Sequence, residues 1–318
     1  MELAFSEDQM GFRDAVRDLL AGTCPPEAVR AAWDADDPWD RDRWAALVEM
    51  GVVGLAVAEA DGGLGMTEVD LVLLLEEAGR AALPEPLVES TLLAPLLPAD
   101  WPAKVAAGEA LVAAAPADCT HVAGAASADL VLVGASIYPA STGVEPQPSV
   151  DRARRLVRVA DVTGTEPLGT LVVQPFDRLA FGTAATLVGV ARRLIEVTVE
   201  YAKDRRQFGQ PIGGFQAVKH HLASAHLAVE FAAPAVYRAA WSLATDQPTI
   251  ARDVSMAKAM AGDAAEQAAR VALQVHGAIG YTFESDLHLW MKRVWALSPT
   301  WGDAAWHRRR VASALLGS

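Results

Sequence analysis

The strongest constraint on the fold is a helical periodicity that extends from Phe176 to the end of the sequence. In its first segment, apolar residues recur every three or four positions, which places them on one face of a helix. These residues are Leu187, Val190, Leu194, Val197 and Tyr201. Similar spacing predicts further helices over residues 217–245, 250–275, 287–297 and 304–316. Residues 176–318 are therefore predicted to form a helical bundle.

The first part of the chain, residues 1–109, also carries helical signals. Ser6 and Gln9 have the spacing of a capping box, in which two side chains satisfy free backbone donors at a helix start. Phe12 and Val16 then begin an apolar face. Further helices are predicted near Trp33 and over residues 41–50, 69–82, 91–97 and 103–108. We therefore expect an N-terminal helical domain.

Between these two parts the sequence changes to short runs rich in β-branched residues. The runs are residues 111–115, 130–133, 155–159 and 170–174. Turns with proline and glycine separate them, which is typical of about four to six strands. The order is helical, β and helical rather than alternating βαβ, so a doubly wound nucleotide-binding sheet is not expected. The predicted fold class is α+β, mainly α, with a small β domain over residues 110–175.

Composition excludes several classes of function. The chain has 27 basic and 40 acidic residues, and its net charge of −13 does not suit a nucleic-acid-binding protein. Apolar runs stay below the roughly 18–20 residues that cross a membrane. The start lacks the pattern of a signal peptide, and two cysteines are too few for a disulfide framework. We expect a cytoplasmic protein that binds neither membrane nor nucleic acid.

Common catalytic motifs are missing from the sequence. Neither the glycines that begin at Gly62 nor those that begin at Gly277 lie between a strand and a helix, so neither is a dinucleotide fingerprint. Walker A and Gly-x-Ser-x-Gly sequences do not occur. His220, His221 and His226 are spaced by one and five residues, which does not bring two ligands to one helix face. We expect no metal site.

Two segments at the ends of long predicted helices suggest ligand binding. One begins at Arg205 and reads Arg-Arg-Gln-Phe-Gly-Gln-Pro-Ile, and the other runs from Gln274 to Gly280. Glycines there permit positive φ and let a ligand approach bare backbone. Each segment alone has a simpler interpretation, as a helix C-cap or as a cation that favours the helix dipole. Together, the two segments favour ligand contact.

Combined with the order of domains, these segments resemble the acyl-CoA dehydrogenase family. The similar segments span nearly the whole chain. They are Phe5-Ser-Glu-Asp-Gln9, Gly62-Gly-Leu-Gly65, Leu75-Glu-Glu-Ala-Gly-Arg80, Leu83-Pro-Glu-Pro86, residues 201–212, Phe215-Gln216 and residues 274–284. The resemblance implies an N-terminal helical domain, a middle β domain and a C-terminal four-helix bundle. It also implies FAD bound across a subunit interface.

The resemblance assigns the ADP half of the FAD site to the C-terminal bundle, which offers it to a neighbouring subunit. Arg205 takes the position of the family arginine that reaches the pyrophosphate. The positions that line the adenine and ribose are Gln207, Phe208, Ile212, Phe215 and Gln216. Gln274, Gly277 and Ala278 take positions that meet the ADP. Ala278 replaces a glycine that the family usually has.

The family reaction is the α,β-desaturation of an acyl-CoA thioester. A glutamate removes the α-proton while hydride leaves for the flavin. The two positions from which the family supplies this base are occupied here by Trp301 and Leu179, and neither can accept a proton. We therefore expect no catalytic residue in this chain. Asp303 and Asp177 lie two residues from these positions and are the alternative bases.

The middle domain also departs from the family, since it is short and no Thr-Glu-Pro-x-x-Gly-Ser-Asp segment precedes its strands. The similar letters that begin at Thr165 fall at the domain's end and predict a turn. The chain thus resembles the shorter subunit of α2β2 heterotetramers that act in actinobacterial steroid side-chain β-oxidation. Its implied partners are a longer subunit that carries the glutamate and most of the acyl-CoA site, and an electron-transfer flavoprotein as acceptor. A homo-oligomer that uses Asp303, and a flavin-free scaffold, are the alternatives.

Overall fold

The computed structural model describes residues 4–140 and 144–317. Its N-terminal part is helical. The helices are α1 (Glu7–Thr23), α2 (Pro26–Asp34), α3 (Arg41–Glu49), α4 (Glu68–Arg80), α5 (Leu87–Leu93) and α6 (Trp101–Ala106). The predicted capping box is confirmed, because the Gln9 amide donates to the Ser6 hydroxyl at 3.1 Å and the Ser6 amide donates to Gln9 Oε1 at 2.9 Å.

The middle part contains short strands and one short helix. They are β1 (Val112–Ala115), β2 (His121–Ala123), β3 (Leu130–Val133), β4 (Ser136–Pro139), β5 (Leu156–Arg158), α7 (Val159–Val162) and β6 (Gly169–Thr170). One sheet has the order β1-β3-β4-β6, and β2 pairs with β5 in a second sheet. The β1–β3 pair is parallel, with Val112 opposite Leu130, and the other pairs are antiparallel.

The prediction of a strand over residues 170–174 is wrong beyond Thr170. β6 pairs only two of its residues with β4, and Val172 is fully exposed. The β-branched run has strand propensity, but a strand also needs a neighbour to accept its hydrogen bonds. Two strands, β2 and β4, were not predicted, because each is short and has a single fully buried residue.

The C-terminal part is a helical bundle with a small hairpin. Its elements are α8 (Phe176–Asp204), β7 (Arg206–Gln207), β8 (Gln210–Pro211), α9 (Gln216–Ala244), α10 (Ile250–His276), α11 (Leu287–Leu297) and α12 (Ala304–Leu316). Helices α8, α9 and α10 pack against one another, and α12 packs on α10. The predicted α+β, mainly α, fold class is confirmed. The domain limits at residues 109 and 175 stay a prediction.

Helices α4 and α8 approach each other so closely that two glycines are required at the crossing. A Cβ added to Gly189 would lie 1.8 Å from the carbonyl oxygen of Glu76. A Cβ added to Gly79 would lie 2.1 Å from the carbonyl oxygen of Thr186. Because real Cβ atoms do not approach backbone so closely, any side chain here would force the helices apart. The crossing fixes the N-terminal helices on the bundle.

The buried guanidinium of Arg293 joins three parts of the chain. On α11, Arg293 forms an ion pair with Asp151 of the middle part. Its remaining donors reach the carbonyl of Leu83 at 2.7 Å and that of Ala82 at 3.2 Å, just after α4. A buried charge is tolerated only with such full pairing.

Across residues 4–140 and 144–317, none of the helices combines the length and apolar character that a membrane crossing requires.

Candidate functional site

An aromatic stack joins the ends of α8 and α10. The rings of Tyr201 and His276 lie 4.2 Å apart and nearly parallel, at 18°. The Tyr201 hydroxyl also donates to the His276 carbonyl at 3.4 Å. Burial lowers the pKa of His276, which keeps the ring neutral, and its Nδ1–H donates to the carbonyl of Ala272 at 2.8 Å. Since Arg205 follows Tyr201 by one turn and Gly277 follows His276, both predicted ligand segments lie at the same end of the bundle.

The first ligand segment is a tight hairpin whose turn exposes an aromatic ring. Phe208 and Gly209 connect β7 to β8 and both have positive φ, 51° and 82°, as a type I′ turn requires. Phe208 is 92% exposed and contacts Phe215 edge-on at 6.1 Å. A bulky side chain in this backbone region costs on the order of 1–3 kcal/mol and is found mainly at functional sites. The conformation therefore indicates a contact surface.

The guanidinium of Arg205 is available for an anion. Its backbone closes the hairpin, since the amide of Ile212 donates to the Arg205 carbonyl at 2.8 Å. The side chain is exposed and has no hydrogen bond or ion pair with the residues described here. Neighbouring Arg206 differs, because its guanidinium reaches the Gly209 carbonyl at 3.4 Å. Free guanidinium donors suit a pyrophosphate, which accepts them in pairs.

The second ligand segment presents bare backbone. Gly277 has φ 62° and ψ −137°, a conformation that is open only to glycine, and a Cβ added there would meet nothing within 4 Å. Gln274, Gly277 and Ala278 are all exposed. In the first segment Gln207 and Gln216 are exposed as well, while Ile212 and Phe215 are half-buried. The predicted contact residues thus form an open surface with a cation, three glutamines, two aromatic rings and free backbone.

This surface fits one half of a dinucleotide. Exposed Phe208 and half-buried Ile212 offer apolar contact to an adenine, and Arg205 offers charge to the phosphates. At the hairpin turn the Phe208 ring is 92% exposed, so the surface is open there.

The two positions expected for the catalytic base are buried and apolar. Leu179 on α8 is fully buried, and Trp301 is 2% exposed. The Trp301 ring packs edge-on against Phe176, with ring centres 5.8 Å apart. Both side chains are therefore packed in the apolar core and present no proton acceptor.

Buried polar groups hold the loop that carries Trp301. Lys258 Nζ donates to the carbonyls of Ser298 at 2.8 Å and Gly302 at 3.0 Å, and burial lowers the pKa of Lys258 to about 8. Burial also lowers the pKa of His307 to about 4, so its ring is neutral and Nε2–H donates to the Trp301 carbonyl at 2.8 Å. These contacts explain how Trp301 keeps a left-handed φ of 58°.

The alternative bases have structural partners. The Asp303 carboxylate accepts the amide of Trp306 at 2.7 Å and caps the start of α12. Asp177 is held by the guanidinium of Arg310 through two contacts, one of them at 2.9 Å. Both carboxylates are engaged in structural contacts, and neither is buried in the dry, apolar surroundings that a base for a weak carbon acid needs.

A small cavity of about 80 Å³ is lined by residues that are near both base positions in the sequence. Thr300 lines it next to Trp301, and Thr183 lines it one turn after Leu179. Glu89 also lines the cavity, and burial raises the pKa of its carboxyl. Glu89 was not predicted, because nothing in the local sequence distinguishes it from other helix acids. Tyr201 was predicted on the apolar face of its helix and at the start of a family-like segment, but its contact with His276 was not, since the two residues are distant in sequence.

Comparison with known proteins agrees with this fold. The N-terminal domain model of acyl-CoA dehydrogenases matches residues 6–98, and the C-terminal domain model matches residues 170–316. Acyl-CoA dehydrogenase IpdE2 of Mycobacterium tuberculosis is 35% identical over 299 residues, which cover 90% of this chain and 91% of that protein. The chain belongs to the acyl-CoA dehydrogenase family. The two domain models leave residues 99–169 between them.

Further relatives show the range of the family. Acyl-CoA dehydrogenase FadE34 of M. tuberculosis is 32% identical over 98% of this chain but only 48% of its own length. Among solved structures with this fold, the ChsE4-ChsE5 complex from M. tuberculosis has a TM-score of 0.82 at 22% identity, with both chains fully covered. The FAD complex of PigA has a TM-score of 0.81 at 18% identity over 99% of each chain. FAD is the cofactor of this family.

Proposed function

We propose that this chain is the half-site subunit of a heteromeric, FAD-dependent acyl-CoA dehydrogenase. It contributes the ADP half of the FAD site, and a longer partner contributes the glutamate base and most of the acyl-CoA site. The observation that supports the proposal is the contrast between the surface for the ADP half of FAD and the two base positions. The surface around Arg205 and Gly277 is open, whereas Leu179 and Trp301 are buried at both base positions.

The proposal assigns a binding role to each exposed group. Arg205 pairs with the pyrophosphate, and the amide backbone at Gly277 lies against the ADP. Phe208 and Ile212 contact the adenine, and Gln274 donates to a polar edge of the cofactor. When bound, FAD supplies the hydride acceptor of the desaturation. This chain's residues hold the cofactor and exclude water from its ADP half.

The region near Trp301 argues against proton abstraction by this chain. An α-proton of a thioester is weakly acidic, so the base must be a carboxylate with a raised pKa beside the substrate. The cavity lined by Thr300 and Thr183 has a volume of about 80 Å³. Sites for drug-sized ligands have volumes of about 300–1,000 Å³, so this cavity does not suit an acyl-CoA. The N-cap role of Asp303 also weakens the homo-oligomer alternative.

Relatives support a heteromer and a steroid-derived substrate. This chain matches 48% of FadE34, which leaves room in that protein for a second unit of similar size. The fold is also found in the ChsE4-ChsE5 complex and in a steroid dehydrogenase described as Tcur3481-Tcur3483. We infer an α2β2 assembly that acts on a steroid-derived acyl-CoA in the cytoplasm and passes electrons to an electron-transfer flavoprotein.

Co-expression tests the proposal. The chain is produced alone and together with a candidate partner. The candidate is a longer acyl-CoA dehydrogenase from a neighbouring gene that has a glutamate at one base position. We expect absorbance near 450 nm and acyl-CoA oxidation from the co-purified complex, and neither from this chain alone. A chain that alone binds FAD stoichiometrically and oxidises an acyl-CoA contradicts the proposal. A colourless complex supports the flavin-free scaffold instead.

Replacing the partner's glutamate with glutamine provides the control. That complex should keep its flavin and lose turnover, because the base is removed while the ADP half in this chain stays intact. The reciprocal variant, Asp303→Asn in this chain, should keep turnover. Loss of orders of magnitude in rate with Asp303→Asn, at unchanged flavin content, identifies Asp303 as the base and refutes the assignment to the partner.

A further inference from the structure

A second cavity, of about 190 Å³, lies between the N-terminal helices and the bundle. Its walls come from α1, α4, α8 and α11 and from the two prolines before and at the start of α2. On α8 the cavity is lined by Arg193, which precedes Arg205 by twelve residues and so lies about 18 Å away along the helix. The cavity is therefore separate from the candidate cofactor surface. Crevices between structural units are common ligand sites.

The cavity has an excess of positive charge. Arg17 is fully engaged, because it makes two hydrogen bonds with Glu77, at 2.9 and 2.5 Å. Arg80 and Arg193 share a single carboxylate, that of Glu196. Arg80 bonds to it directly, whereas Arg193 approaches it only to 3.6 Å, beyond hydrogen-bond distance. Three guanidiniums thus line the cavity, their hydrogen bonds to acids go to two carboxylates, and within the described part of the chain Arg193 makes no hydrogen bond to a carboxylate.

An aromatic ring fixes the guanidinium of Arg193 at the cavity wall. Arg193 lies over the Trp290 ring, with its Cζ 5.4 Å from the ring centre. Trp290 is itself held, because its Nε1–H donates to the Arg80 carbonyl at 2.9 Å. The rest of the wall is apolar and includes Leu20 and Pro25. The cavity therefore combines fixed cationic donors with a hydrophobic surface.

The start of α2 adds to the attraction for an anion. Pro25 and Pro26 line the cavity, and Pro25 is the N-cap of this nine-residue helix. Proline supplies no side-chain hydrogen bond to the first turn. The positive end of the helix dipole thus lies at the cavity, and Glu27 in the first turn offsets part of it.

We propose that this cavity binds a small amphipathic carboxylate. The carboxylate pairs with Arg193 and Arg80, and the hydrocarbon part lies against Leu20, Pro25 and Trp290. One surplus positive charge matches a monoanion better than a phosphate dianion. The volume is sufficient, because a cavity of about 150 Å³ holds a benzene ring. Benzoate is therefore a suitable probe.

Binding of benzoate to the full chain, in the form in which it purifies, tests the proposal by titration calorimetry and ligand-observed NMR. Arg193→Gln should weaken benzoate binding about tenfold, since it removes a charge-assisted hydrogen bond. Glu196→Gln should tighten it, because the competing carboxylate is lost. Arg270→Gln is the matched control: Arg270 is exposed, pairs with Glu266 and is outside the cavity, so binding should not change.

Two further probes test the class of ligand. Benzamide, which is neutral and has the shape of benzoate, should bind at least tenfold more weakly. Inorganic phosphate should not compete with benzoate. The proposal is overturned if benzoate does not bind at millimolar concentration, if Arg193→Gln and Glu196→Gln change its affinity in the same direction, or if phosphate displaces it. Glu196 is exposed, so its variant is expected to fold, and none of these results depends on flavin or on a partner subunit.

Discussion

Replacing Trp301 with alanine tests whether this side chain is a structural filler of the base position. The indole is 2% exposed and packs against Phe176 at 5.8 Å. Truncating a buried tryptophan removes its transfer free energy and leaves a cavity, at a typical cost of about 3–5 kcal/mol in unfolding free energy. Lys258 and His307 hold the loop around Trp301 through its backbone carbonyls, so little collapse into the new space is expected. We expect the upper part of this range.

Urea unfolding followed by circular dichroism measures the effect, with Trp306→Ala as the matched control. Trp306 belongs to the same aromatic group, with its ring 5.1 Å from that of Phe176, but it is 38% exposed. Its truncation should cost less than half as much, because less apolar surface returns to water. Flavin content of the co-purified complex should not change in either variant. If Trp301→Ala leaves stability unchanged but abolishes turnover, Trp301 acts in catalysis and the filler assignment is refuted.

Three further variants test other parts of the structure. Arg205→Gln should weaken FAD binding to the complex about tenfold or more, as measured by flavin fluorescence, because charged hydrogen bonds contribute about 1.5–3 kcal/mol. Arg206→Gln should change FAD binding little. Equal losses of affinity in the two variants would contradict the pyrophosphate assignment. Gly189→Ala should destabilise the chain by about 1–3 kcal/mol or more in urea unfolding, since its Cβ would meet a backbone oxygen. Gly262→Ala on α10, where a Cβ meets nothing within 4 Å, should stabilise it by about 0.5–1 kcal/mol, and a reversed order would refute the close crossing. Burial holds the pKa of His307 at about 4, below its usual value of 6.5, so the unfolded state binds the proton more tightly than the folded state. The free energy of unfolding should therefore fall as pH drops from about 6.5 to about 4. His307→Gln should flatten that part of the stability profile, and an unchanged slope would show that His307 does not contribute to it.

The helices were predictable because their signals are local. α11 and α12 have the predicted limits, and the capping box at Ser6 needs only residues three positions apart. Residues 170–174 were not predictable in the same way, since strand formation depends on a neighbour that the sheet does not provide. Local patterns therefore gave the helical parts more reliably than the middle part.

The candidate site was likewise predictable only where its signals are local in the sequence. Both ligand segments, the one that begins at Arg205 and the one from Gln274 to Gly280, were found from the sequence. The Tyr201–His276 stack that brings them together was not, because it links residues 75 positions apart. The left-handed backbone of Phe208 is also invisible in the sequence, where asparagine or glycine would be the usual signal for such a turn. Side-chain burial of Trp301 likewise depends on Phe176, a distant residue at the start of α8.

The close helix crossing at Gly79 and Gly189 has a consequence for how the chain unfolds. Where a layer of side chains separates two helices, they can shift past each other by changing rotamers, but here backbone meets backbone. The N-terminal helices therefore cannot loosen from the bundle in small steps. Loss of this crossing should coincide with loss of the core around it, so the helical parts are expected to melt in one cooperative transition with shared protection from hydrogen exchange.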